Sequence, residues 1–109
     1  LMATLTAIVP TYAGVSLGAA AAAVGGDKFV NTGNELLYIK NGGGSTITLT
    51  LDAQTVAGLT ITDPTVSVAA GAEKIVGPFD PRYFTDSSGF LNLSYSAVTS
   101  VTVAVIQKN

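Results

Sequence analysis

The side chains able to do chemistry are few, and their spacing suits it poorly. Seven acids, Asp27, Glu35, Asp52, Asp63, Glu73, Asp80 and Asp86, are spread along the chain, and there is neither His nor Cys. Without His the commonest general base and the commonest metal ligand are both missing. Without Cys there are no disulfides, thiolate metal sites or cysteine nucleophiles. The serines and threonines have no His to activate them, and no Ser-x-x-Lys spacing puts a Lys in its place. A glycosidase-type pair needs two carboxylates set across a cleft. Most of these acids instead sit beside turn residues, where a structural role is expected. Asp86-Ser87-Ser88-Gly89 lacks the alternating acids and terminal Glu of a calcium loop and reads as an Asx-type turn. Gly42-Gly43-Gly44 has no following Lys-Ser/Thr and reads as a connection, not a phosphate cradle. The expectation is a protein with no enzymatic activity, no cofactor and no metal.

What remains is recognition by contact. Residues 79–84 hold three aromatics and the sole Arg between two prolines and a turn. Aromatics and Arg are favoured at contact hot spots, and proline lowers the cost of ordering a loop on binding. Phe79, Arg82, Tyr83 and Phe84 are therefore candidate contact residues. In the competing reading Phe79 and Tyr83 close one end of the fold. Both hold if Phe79 turns in while Tyr83 or Phe84 turns out.

A second candidate is the leader, residues 1–26, which carries no charge. No Lys or Arg precedes its apolar part, so it lacks a secretory n-region. Thr11, Gly14, Ser16 and Gly18 interrupt it well short of the ~20 apolar residues of a membrane span. Its alanines would make two helical turns at most, marginal in isolation. The leader is read as an extended arm ordered by a neighbouring subunit, with Leu5, Ile8, Val9, Tyr12, Val15 and Leu17 as candidate contacts.

These segments must be held by residues 27–109, read as one β domain. The stretch 35–51 runs ELLYIK, NGGGS, TITLTL, and its second half alternates Ile47, Leu49 and Leu51 with threonines. That period of two is the mark of a half-buried strand, and β-branched threonine suits a pleated surface. The five-residue Gly-rich connection predicts a β-hairpin. Further alternating runs at 65–68, 91–95 and 101–105, and short apolar pieces at 29–30, 59–61 and 75–76, are separated by turn residues. The last run is apolar enough to be covered on both faces. The whole predicts an all-β fold, an antiparallel β-sandwich or small barrel of seven to eight short strands with an extended N-terminal arm. The expected core is Leu37, Ile39, Ile47, Leu49, Leu51, Val66, Val68, Ile75, Leu91, Leu93, Tyr95, Val101, Val103 and Val105.

Charged residues are 11% of the chain, with a net charge of −2 and scattered lysines. Nucleic acid is not an expected partner, because no basic stripe exists to neutralise phosphates. A surface so poor in charge is a solubility liability for a free monomer, so much of it is expected to be covered.

The order Gly25-Gly26-Asp27-Lys28-Phe29-Val30-Asn31-Thr32-Gly33-Asn34, then Leu37-Tyr38-Ile39-Lys40-Asn41-Gly42, then Val66-Ser67-Val68-Ala69-Ala70-Gly71 and Gly77-Pro78-Phe79, resembles small virion proteins of tailed bacteriophages. The resemblance covers nearly the whole chain, the Ala-rich leader included. Such proteins are encoded near the major capsid protein and are taken to decorate or cement the head. The resemblance implies a structural protein on the capsid exterior that contacts the major capsid protein or other virion subunits. It also implies a homo-oligomer, a trimer being one option, and no catalytic residues. A tail or head–tail component is a close variant. The alternative is a secreted or cell-surface β-sandwich module that binds carbohydrate. That reading wants exposed aromatics beside paired polar groups, whereas the chain has no Trp, and Tyr12, Tyr38, Tyr83 and Tyr95 are dispersed.

Overall fold

Alternation of apolar with small polar residues sets the strands. The computed structural model describes residues 3–16, 18–54, 58–59 and 62–107. Its elements in chain order are β1 (Ala3–Thr4), β2 (Ala7–Ile8), β3 (Ala20–Ala21), β4 (Asp27–Val30), β5 (Glu35–Asn41), β6 (Ile47–Leu51), β7 (Thr65–Val68), β8 (Glu73–Val76), α1 (Pro81–Phe84), β9 (Phe90–Tyr95) and β10 (Val101–Gln107). In β6, Ile47, Leu49 and Leu51 are buried while Thr48 and Thr50 face outward, as the period of two requires. β10 buries Val101, Val103 and Val105 on one side and Ala104 on the other, so its centre is covered on both faces. Of the piece expected at 59–61, Leu59 is 70% exposed, and Ile61 lies outside the described residues.

The strands form two sheets, ordered β1-β4-β9-β6-β7 and β2-β10-β5-β8, with β3 also paired to β10. All pairings among β4 to β10 are antiparallel. The fold is a β-sandwich whose inner faces meet through Phe29, Leu37, Ile39, Leu49, Leu91, Leu93 and the β10 valines. Val66 and Tyr95 are only partly buried, at the margin of this core. Ile75 is not in the core at all, being 64% exposed. Its register partner is Tyr38, on the outward side of β5, which puts Val76 on the inner side instead. Phe29 and Ala22 join the core without having been expected there, and Phe79 turns into it as the competing reading had it.

The expected hairpin over residues 35–51 does not form. β5 belongs to one sheet and β6 to the other, so residues 42–46 cross the end of the sandwich. Asn41, wholly buried, holds that crossing. Its Nδ2 donates to the Ser45 carbonyl (2.7 Å) and to the Val68 carbonyl of the opposite sheet (3.0 Å), and its Oδ1 accepts from Gly43 N (3.0 Å). Glycine is needed at 42, because Ser100 O stands 3.0 Å from where a Cβ would be while also accepting Gly42 N at 2.9 Å. Between β4 and β10 the sole connection staying within one sheet is β6 to β7; the others pass between sheets.

The leader is extended, and its alanines at 20–21 are strand, not helix. β1 runs parallel to β4 (Ala3↔Asp27), and β2 runs parallel to β10 (Ala7↔Val105). β3 returns antiparallel to β10 (Ala20↔Val103), and Ala22 N continues the pairing to Val101 O at 2.9 Å. Part of the surface this leader was expected to find on a neighbour is therefore supplied by its own domain. Leu5 and Ala7 pack on the core and Ala22 is buried in it. These short pieces also cover the free edges of β4 and β10, which unpaired would template aggregation.

Because Asn41 carries the crossing, Asn41→Leu should destabilise the domain. The buried Val68 carbonyl loses its donor, at ~1–3 kcal/mol for a buried group left unpaired, whereas Ser45 is exposed and its carbonyl can turn to water. The check is a urea denaturation midpoint, with Ser87→Ala, at an exposed turn position, as a variant expected to change little.

Candidate interaction surfaces

The aromatic segment is organised by Asp80. Its Oδ1 accepts from Arg82 N at 2.9 Å and caps α1, with Pro81 at the first helical position, where a missing N–H costs nothing. The Tyr83 carbonyl then accepts Gln54 N at 2.7 Å, anchoring the turn to the chain after β6. The four candidate residues separate. Phe79 is 4% exposed and lies against Phe29 and Phe84, both at 6.0 Å between ring centroids. Phe84 is partly buried on the same cluster. Phe79 turns in to close the end of the sandwich, as the competing reading had it, and Phe84 packs on it while staying half-buried. Arg82 and Tyr83 stay at the surface, the guanidinium 4.9 Å from the Tyr83 ring centroid and paired with Asp80 at 3.8 Å.

The leader candidates divide in the same way. Leu5 faces the core and Ile8 is half-buried on β2. Between β2 and β3 the chain leaves the β10 edge, and here Val9 is 39%, Val15 47% and Tyr12 fully exposed. Leu17 lies outside the described residues. Where the leader lifts away, a cleft of about 410 Å³ opens beside β10, lined by Leu5, Ile8, Val15 and Ala104 among others.

The acids are structural wherever they are buried. Glu35, 2% exposed, takes Thr32 N at 2.6 Å and the Thr32 hydroxyl, fixing the turn into β5. Asp86 accepts from Ser88 N, Phe90 N and Asn92 Nδ2 at 2.8–3.0 Å, which makes it the Asx-type turn expected from its sequence. The Asn92 amide, then Phe90 N, hold its carboxyl below the usual aspartate range, with Lys28 adding attraction. Asp27 is wholly buried; its Oδ2 accepts the Tyr95 hydroxyl at 2.6 Å and Ala23 N at 3.2 Å, while Oδ1 has no partner. Burial, then the bond to Asp27 and its charge, push the Tyr95 hydroxyl far above its ordinary value. Among the described residues no three acids stand close enough to hold a metal ion, and no helix is long and apolar enough to cross a membrane.

The outer faces of the two sheets differ, a feature that linear alternation did not reveal. On the β4-β9-β6-β7 sheet the register aligns Lys28 with Asn92, Ser94 with Thr50 and Thr65, and Thr48 with Ser67. That face is polar except where Val30 meets Phe90. At its rim a recess of about 200 Å³ is lined by Thr50, Asp52, Asp63, Asn92, Leu93 and Ser94. On the β10-β5-β8 sheet the outward rows are Ile106 with Leu36, then Ala104 with Tyr38 and Ile75, then Thr102 with Lys40 and Glu73. Ile8 extends the first row from β2. The signal was present in the apolar residues at even positions, Leu36, Tyr38 and Ile106, but their side was set only by pairing. No protein-family model, curated protein or solved structure matches this chain.

The Asp27–Tyr95 bond sets an alkaline limit. A hydroxyl whose pKa is raised on folding keeps its proton in the native state while the unfolded chain loses it, so stability falls as pH rises above the unfolded tyrosine value of about 10. Tyr95→Phe should cost about 1.5–3 kcal/mol at neutral pH, since a buried carboxylate loses a donor. It should also flatten the loss above pH ~10. Denaturant titrations of both proteins between pH 7 and 11 check this, and equal alkaline slopes would count against the assignment.

Proposed function

We propose that this chain is a structural virion protein of a tailed bacteriophage, a decoration or cement protein on the capsid exterior. It acts by contact area, on the major capsid protein or other virion subunits and on further copies of itself. The observation that carries the reading is the excursion over residues 9–16. There a charge-free segment holds Val9, Tyr12 and Val15 out in solvent on a sandwich whose β4 and β10 edges the same leader covers. An apolar loop on a rigid base gains binding free energy only when another surface covers it. Burial of such side chains is worth about 1.5–3 kcal/mol each, and repetition around a symmetric shell multiplies modest contacts through effective concentration. The virion identity itself rests on the sequence resemblance; the exposed loop and the low charge support it.

A second reading, a carbohydrate-binding β-sandwich module, is favoured by the polar recess with Asp52, Asp63 and Asn92. The aromatic platform that sugars stack on is not among its lining residues.

The test is imaging of particles purified from cells with the gene intact, deleted and complemented. Density on the head exterior should appear with the intact gene and vanish on deletion. Complementation with Val9, Tyr12 and Val15 all changed to Ser should lower occupancy at least about tenfold at limiting protein, given the burial value above. Particles indistinguishable with and without the gene would overturn the proposal, and specific signal on a glycan array would favour the second reading.

A further inference from the structure

The outer face of the β10-β5-β8 sheet does not obey the pattern of a solvated sheet. An antiparallel sheet with one face in water alternates apolar-in with polar-out, and the opposite sheet does so except where Val30 meets Phe90. Here Leu36, Tyr38 and Ile106 occupy outward positions, and Ile75 stands 64% exposed beside Tyr38. The row that borders this strip carries one cation and one anion side by side. Register sets Lys40 against Glu73, yet no ion pair closes between them: the ion pair found among the described residues is Arg82–Asp80. The Glu73 carboxylate accepts the Tyr38 hydroxyl instead, and the Lys40 ammonium, itself exposed, has no ion-pair partner among the described residues.

We infer that this face is a two-fold interface between copies of the chain, centred on Tyr38, Ile75, Lys40 and Glu73. The occupant follows from the pattern. In an isologous contact residue i meets j and j meets i. A two-fold axis lying in the interface and running along the strands between β5 and β8 sets Lys40 on Glu73 of the second copy, and Glu73 on its Lys40. The same axis sets Tyr38 on Ile75 of the second copy, and the reverse. Every group in the patch thus finds a complement on an identical surface. The paired signs cancel, so two copies do not repel, while Leu36 and Ile106 flank the contact with further apolar area. The outer face of the other sheet, where Lys28 is aligned with Asn92 and the remaining rows are Val30–Phe90 and hydroxyl side chains, aligns no anion with its cation. A contact built on so few residues is at the small end of specific interfaces, so the dimer is a weak one read at high concentration. The inference stands on the pairing register and does not rest on the virion reading.

Sedimentation velocity from about 10 µM to about 1 mM, the range fitting a small interface, tests it. The wild type should self-associate as concentration rises. Lys40→Glu and Glu73→Lys should each weaken association about tenfold or more, because each homodimer then opposes like charges twice. An equimolar mixture of the two variants should regain association, since both cross-interface contacts are again of opposite sign. A change acting only within one chain would not be rescued by mixing. Ile75→Ser, exposed and so compatible with an unchanged circular dichroism spectrum, should weaken association too, while Thr65→Lys on the other sheet should not. A wild type that stays monomeric throughout, a mixture no better than its components, or equal loss with Thr65→Lys would overturn the inference.

Discussion

The side chain of Asn41 lies in the interior between the two sheets and satisfies itself on two chain segments, the crossing at 43–45 and the end of β7. An amide taken from water into such a place is costly unless its donors and acceptor are paired. Here both Nδ2 protons and the Oδ1 find backbone partners. The backbone of the same residue donates to Ala72 O and accepts from Gly71 N, so residue 41 also fixes the turn that carries β7 to β8. Both connections that it holds pass from one sheet to the other. The spacing of the sheets at that end therefore depends on one polar group, and the apolar residues beneath it pack at the distance it sets.

Elsewhere the sandwich is closed by other means. The Phe29, Phe79 and Phe84 rings fill one end in tilted and edge-on contacts, the arrangement that the ring quadrupole favours. The start of β4 carries a buried acid, Asp27, which accepts the Tyr95 hydroxyl and ties Ala23 of the leader to the sheet. Glu35 does similar work at the start of β5. In a domain of this size, where only about 60–65% of the unfolded surface is removed from water, these few polar contacts are a large share of the net balance. The leader adds to it by lying along strand edges that would otherwise be open.

The surface divides as clearly as the interior. One outer face is mostly threonine, serine and asparagine with Val30 and Phe90 at one corner, the other mostly leucine, isoleucine and tyrosine with one cation and one anion that do not pair. A charge-free loop stands out from the edge between β2 and β3. The proposed place on a phage head and the proposed pairing of copies are two separate uses of that surface, one assigned to the loop and one to the sheet.

Much of this was written in the chain itself. Alternation at 47–51, 65–68, 91–95 and 101–105 determined strand type and most of the core, because the side-chain period of a strand is two whatever it pairs with. Asp86 in an Asx-type turn was likewise legible, since its partners are two to six residues away. Which strands pair was not. The run from 35 to 51 reads equally as a hairpin or as an arch between sheets, for both bury the same side of each strand; the amide of Asn41 decides it by reaching Val68, 27 residues away. Ile75 had the right residue type for the core and the wrong register. The leader showed no period because it meets the domain two residues at a time. Its placement, and the contrast between the two outer faces, exist only once distant segments lie side by side.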